Sequence, residues 1–168
     1  FEVMTALTFL YFYEKKVDYA IIETGLGGTW DATNIIKPII CGFTNIDIDH
    51  VDFLGDTVEK IAKDKSGIIK ENVKVVIHKD NQGLEFIKEK VNEKNAKLTL
   101  AENYEGEIGL NGDFQKENAG VAKAICDELE VNEETIKKGI KETKWPGRCQ
   151  FIKDNLLVDG AHNPSAMK

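Results

Sequence analysis

The 168-residue sequence predicts an α/β fold built on a parallel sheet, and three observations carry that prediction. Short runs rich in β-branched residues take turns with segments of helical period, the pattern of strand and helix units that lay parallel strands side by side. The runs are apolar along their length, as strands covered on both faces are. Three of them end abruptly in polar residues, where open α/β sheets keep their ligand-binding groups.

The chain opens in a helix, residues 1–12, with no capping residue before it. Residues 17–22 form the first expected strand, ending at Glu23, and a glycine-rich loop occupies 24–34. The second expected strand, 38–43, leads through Asn45 to Asp47, Asp49 and His50. Asp56-Thr57-Val58-Glu59 has the form of a capping box, with Asp56 as cap and Glu59 reaching back, for a helix running to about Ile69. A strand at 73–77, a helix at 84–93 and a strand at 97–100 continue the alternation. After a loop at 103–112, helices are expected at 116–129 and, capped by Asn132, at 133–142. Trp145-Pro146-Gly147-Arg148 breaks the helical run and divides one unit, 1–144, from the start of a second, 145–168. Beyond it 149–153 and 156–158 form a hairpin ending at Asp159, and 163–168 begin a helix with Pro164 in its first turn. An uncapped start and a helix only begun at the end are expected of a segment of a longer protein.

With 42% hydrophobic and 30% charged residues and only 3 Pro, the composition is that of a chain with a core, not a disordered or collagen-like one. The formal charge of −7, with no basic cluster, leaves no electrostatic footprint for nucleic acid. An anionic ligand would need a metal or a few placed cations. No apolar stretch reaches the ~20 residues of a bilayer span, so no membrane partner is expected. Cys41, Cys126 and Cys149 are odd in number and lack CxxC spacing, which predicts buried reduced thiols and a cytoplasmic protein.

The polar residues that end the strands are the first candidates for chemistry. Glu23 and His50 offer a carboxylate and an imidazole, ligand types suited to a divalent cation, and Mg²⁺ takes few protein ligands alongside phosphates. Taken singly, each is also an ordinary loop group. His78 also ends a strand, but with no acidic partner nearby in sequence it reads as surface. Lys65 lies four residues after Ile61 and four before Ile69, on the apolar side of its helix. It either snorkels to water or, as a partly desolvated amine, reacts with CO₂ to give a carbamate anion beside a metal. The glycine-rich loop meets neither nucleotide fingerprint, so its glycines are expected to let backbone approach a substrate. Arg148 is the only arginine, placed at the boundary, where it suits a phosphate contact or a hinge salt bridge.

In order, Glu23-Thr-Gly-Leu-Gly-Gly-Thr-Trp-Asp-Ala-Thr-Asn34, Thr44-Asn-Ile-Asp-Ile-Asp-His50, Leu54-Gly-Asp-Thr57, Lys65-Ser-Gly-Ile-Ile69, Gln115-Lys-Glu-Asn-Ala119, Trp145-Pro-Gly-Arg148 and Asp159-Gly-Ala-His-Asn-Pro164 closely resemble the folylpolyglutamate synthase and dihydrofolate synthase family of the wider Mur ligase group. The resemblance implies a partial parallel-sheet ATPase domain followed by the first strands of a Rossmann-like C-terminal ligase domain. It implies an ATP-dependent enzyme that adds L-glutamate to a folate or to dihydropteroate through an acyl phosphate, acting as a monomer. By position Glu23 and His50 match the Mg²⁺ ligands and Lys65 the carbamylated lysine, with His50 and Lys65 as catalytic residues. Trp30, Asp31 and Ala32 match part of the pterin-substrate loop, and Asn118, Arg148 and Asp159 match the ATP contacts. The family's phosphate loop, of the form GTNGKGS, is expected upstream, so residues 1–168 alone are expected to be inactive. The sequence departs from the family at Phe114, where a histidine is frequent, and at Thr29, where a basic residue is common. A cell-wall Mur ligase shares the Thr-Asn and Asp-His pattern but generally lacks the Gly-Leu-Gly-Gly loop. A non-catalytic remnant that binds nucleotide or folate is the alternative of another class.

Overall fold

The computed structural model describes residues 1–161; the helix expected at 163–168 lies outside the described residues. A first helix, α1 (Glu2–Lys15), closes with Lys16 in the left-handed region, and its Thr5 and Thr8 hydroxyls donate back to carbonyls four residues earlier. The sheet is parallel, with strands β1 (Ile40–Phe43), β2 (Lys74–His78) and β3 (Lys97–Ala101) in that order and β2 paired on both sides. Helices α2 (Val51–Leu54), α3 (Val58–Lys65) and α4 (Leu84–Glu93) follow β1 and β2, and α5 (Gln115–Glu128) and α6 (Glu133–Glu142) follow β3.

Strand geometry divides the core. Side chains at successive strand positions point to opposite faces, so Val75 and Ile77 join Cys41, Phe43, Ile61, Ile87 and Val91 under α3 and α4. Val76 faces the other way, onto Val121 of α5, with Ala101 beside it. Because β2 is covered on both faces, Val75, Val76 and Ile77 are fully buried, which explains its unbroken apolar sequence.

Three expectations about local structure fail. Residues 17–22 pair with none of the described strands, and Tyr19 and Ile21 are 63% and 96% exposed. β-branched composition supplies a tendency, but a strand exists only through a partner's ladder. The cap of α3 is Thr57 rather than Asp56: Thr57 is extended and its hydroxyl accepts from the Lys60 N–H at 3.2 Å. Asp56 and Glu59 turn outward instead, to Lys60 at 2.8 Å and Lys63 at 2.7 Å, the i,i+4 pairs of an exposed helix face. The helix also ends earlier than its apolar spacing suggests, tightening after Lys65 into a 3₁₀ turn, Ser66–Ile68.

After Trp145-Pro146-Gly147-Arg148, strands β4 (Gln150–Lys153) and β5 (Leu156–Val158) form a separate antiparallel pair, as the turn residues predict. The expected cap of α6 is present, Asn132 accepting from the Thr135 N–H at 2.9 Å.

Candidate functional site

The carboxyl ends of β1 and β2 feed the loops that carry the candidate residues. Asn81, buried beyond β2, donates to the Thr44 carbonyl at 2.8 Å and accepts from the Gly83 N–H at 2.9 Å, which fastens the start of the 44–50 loop to the neighbouring turn. That loop ends at His50, in the left-handed region (φ 49°), which places its carbonyl as the first acceptor of α2. The His50 imidazole is half exposed, with Nε2 at 3.7 Å from an Asp49 oxygen. Glu23 is exposed at the end of the unpaired run and lines a shallow cavity with Phe1, Thr5, Phe9, Ile22 and Thr33.

The glycine-rich loop is fastened to the end of α3. Asp31 organises the loop from within, accepting from the Gly25, Leu26 and Thr33 N–H groups at 2.8, 3.0 and 2.9 Å and from the Thr33 hydroxyl, and it caps a 3₁₀ turn, Ala32–Ile35. Partial burial works to raise its carboxyl, but the bonds from Thr33, Leu26 and Gly25 outweigh it and hold the group below its ordinary value. Asp64, on the last turn of α3, takes the Gly28 N–H on its carboxylate at 2.9 Å and the Thr29 N–H and hydroxyl on its carbonyl at 3.1 and 2.9 Å. At the far end Asn34 donates to the Gly67 carbonyl, and Lys70 donates to Asn34. Gly28 of the loop and Gly67 beyond α3 thus let the loop lie against the helix end.

Lys65 is half-buried at this junction. Among the described residues Glu23, His50 and Lys65 make no hydrogen bond or ion pair with one another, and no three His, Cys, Asp or Glu side chains cluster closely enough to hold an ion alone. Trp30 is 92% exposed and Ala32 half-buried, so beside an engaged Asp31 the loop presents an indole to solvent. Asn118, half-buried on the first turn of α5, donates to Gln115 at 3.1 Å. Arg148 is exposed and makes no ion pair with a described residue. Asp159 ties the base of the hairpin by accepting from the Cys149 and Ala161 N–H groups.

His78, expected at the surface, is 3% exposed. It ends the central strand on the α5 side; its Nδ1 accepts from the Asp80 N–H at 3.3 Å, and its Nε2 is buried without a partner among the described residues. Of the three thiols, Cys41 is buried, which pushes it up to about 11, while Cys126 and Cys149 are only half-buried. Asp64, Lys70 and Asn81 escape a reading of the sequence, because their distant partners lie 35 to 37 positions away and nothing local marks them.

Residues 2–150 match the Mur ligase middle domain. The chain belongs to that family. Among curated relatives of this Mur ligase middle domain, a folylpolyglutamate synthase of Saccharomyces cerevisiae (strain FostersO) is 36% identical over 193 residues, covering 99% of this chain and 35% of the yeast protein. The chain thus spans about a third of the length of the curated relatives it matches. Among solved structures, the apo folylpolyglutamate synthase (FPGS) of L. casei matches with a TM-score of 0.85 at 30% identity, covering 98% of this chain and 48% of that one. The FPGS of Thermotoga maritima matches with a TM-score of 0.83 at 32% identity, covering 99% of this chain and 45% of that one. An FPGS–AMPPCP–folate complex matches with a TM-score of 0.87 at 30% identity, covering 98% of this chain and 48% of that one. The α/β architecture with its parallel sheet is thus that of part of the FPGS fold.

Proposed function

We propose that the full-length protein carrying this Mur ligase middle domain is an ATP-dependent ligase that joins L-glutamate to a folate, to dihydropteroate, or to both. The observation that carries this reading is similarity to FPGS along 98–99% of the chain, a complex with AMPPCP and folate among the matches. The γ-phosphoryl group of ATP passes to the substrate carboxylate, the glutamate amine attacks the acyl phosphate, and inorganic phosphate leaves. Mg²⁺ supplies neutralising charge for the phosphoryl transfer. Glu23 and His50 would hold it: both are exposed and neither pairs with a described lysine, a donor set of two that suits Mg²⁺ with water and phosphates in its remaining positions. Lys65 adds its amine to CO₂, releasing one proton and leaving a carbamate anion. Trp30, Asp31 and Ala32 form the substrate loop, with Asp31 acting chiefly through the loop's shape. Asn118, Arg148 and Asp159 contact ATP, and the exposed guanidinium of Arg148, which pairs with no described carboxylate, suits a phosphate. The protein works as a cytoplasmic monomer without nucleic acid. The Gly-Leu-Gly-Gly loop favours this reading over a cell-wall ligase.

The test is Lys65→Ala in the full-length protein. Folate-dependent turnover is expected to fall at least about 100-fold, as it does when a positioned charge is lost at a reacting centre, and added formate or acetate should restore part of it. Normal activity in Lys65→Ala would overturn the assignment.

A further inference from the structure

We propose that Asp64 is a positioning residue that locks the substrate loop to the helix end bearing Lys65, so that Lys65 and Trp30–Ala32 share one rigid frame. This rests on the reading of Lys65 and the loop given above. Three hydrogen bonds run from Gly28 and Thr29 to this one residue across 35 to 36 positions of sequence. Asp64 pairs with no described lysine: Lys60, one turn before it, is taken by Asp56, and Lys63 by Glu59. Its carboxylate instead accepts a main-chain N–H, a charge-assisted bond that fixes backbone to helix.

Steric evidence points the same way. A Cβ on Gly28 would stand 2.6 Å from the Lys65 carbonyl oxygen and 2.9 Å from that of Asp64, and one on Gly67 would stand 2.2 Å from the Thr29 hydroxyl and 2.6 Å from its Cα. The loop therefore rests on the main chain of Lys65 itself, with no room for a methyl group on either side. A displacement of the loop moves the substrate contacts relative to the root of the Lys65 side chain. Asn34, held in turn by Lys70, bridges the Thr29 and Gly67 carbonyls without touching Asp64 or Lys65, so at Gly28 the side-chain tie to the helix is the Asp64 carboxylate.

The experiment compares Asp64→Ala, Asp64→Asn and Thr29→Val in the full-length protein by amide hydrogen exchange and by steady-state kinetics. In Asp64→Ala the Gly28 amide should lose protection because its carboxylate acceptor is gone, while the Thr29 amide, held by the main-chain carbonyl of residue 64, and the Gly25 and Leu26 amides, held by Asp31, keep theirs. KM for the folate substrate should rise roughly tenfold with KM for ATP within about twofold, the size expected for losing a hydrogen bond to a charged group. Asp64→Asn retains an acceptor oxygen and should restore the folate KM, and Thr29→Val, which leaves the helix untouched, should produce a smaller rise. Unchanged exchange at Gly28 in Asp64→Ala would overturn the lock, and lost protection there with an unchanged folate KM would overturn its positioning role. Exchange needs no turnover, so a wild-type protein inactive with folate would defeat the functional reading while the lock is still judged.

Discussion

Glu128, near the end of α5, joins that helix to the sheet. Its side chain is 13% exposed and accepts from Lys97 at 2.9 Å, from the Thr99 hydroxyl at 2.7 Å and from Lys74 at 3.1 Å, and Lys74 also reaches the Glu128 carbonyl. The bonds from Lys97, Thr99 and Lys74 lower its carboxyl from 4.5 to about 2. A carboxyl lowered in the folded state stabilises fully above its unfolded value and loses that contribution as pH falls through the folded one. The stability difference between the native protein and Glu128→Gln should therefore be constant above about pH 5 and shrink between about pH 4.5 and pH 2. Urea titrations across that range check it, and a difference that grows toward acid would contradict it. Such ties are hard to read from sequence because their partners are distant: Glu128 reads as one more charge on an exposed helix. Lys65 was legible because helical spacing alone puts it on the apolar side. His78 was misread because surface polarity was inferred from its sequence neighbours, whereas its exposure is set by β2 being the central strand.

Helices α4 and α6 begin and end where expected, α6 with its predicted Asn132 cap, since such signals are local. Asn132→Ala should lower stability by about 1 kcal/mol through loss of the cap bond to Thr135, read as a shift in urea midpoint with unchanged slope. α3 shows the limit of such signals. Asp56 and Thr57 are both good caps, and which one serves is decided by backbone conformation and by Lys60 competing for Asp56. Residues 17–22 show the same limit in β-structure, where the apolar run was legible and its pairing was not. The division at Trp145–Arg148 remains our proposal: the hairpin ladder is separate from the parallel sheet, and one side-chain bond, Asn111 to the Cys149 carbonyl, reaches it from the 103–112 loop. Limited proteolysis of the full-length protein should cut first within 143–149 and leave the parallel sheet intact. First cleavage within the 79–83 turn would contradict that division.

Taken together, the parallel sheet sets β1 and β2 so that their following loops carry His50 and the Asn81 tie, while the glycine loop and α3 meet at Lys65. The motif residues of this arrangement were legible in the sequence. The fastenings that hold them, Asp64, Lys70 and Asn81, were not, because each joins segments that only the fold brings together. No described helix is long and apolar enough to cross a membrane. The central claim is that the full-length protein is a glutamate ligase acting on a folate-type substrate. A coupled phosphate-release assay with ATP and Mg²⁺ tests it most directly, run with folate or dihydropteroate, with and without L-glutamate, and with a UDP-linked cell-wall precursor as the contrasting substrate. The account predicts phosphate release that requires both L-glutamate and the pterin substrate, with a product longer by one glutamyl residue; release with the cell-wall precursor alone, or none with either pterin substrate, would contradict it.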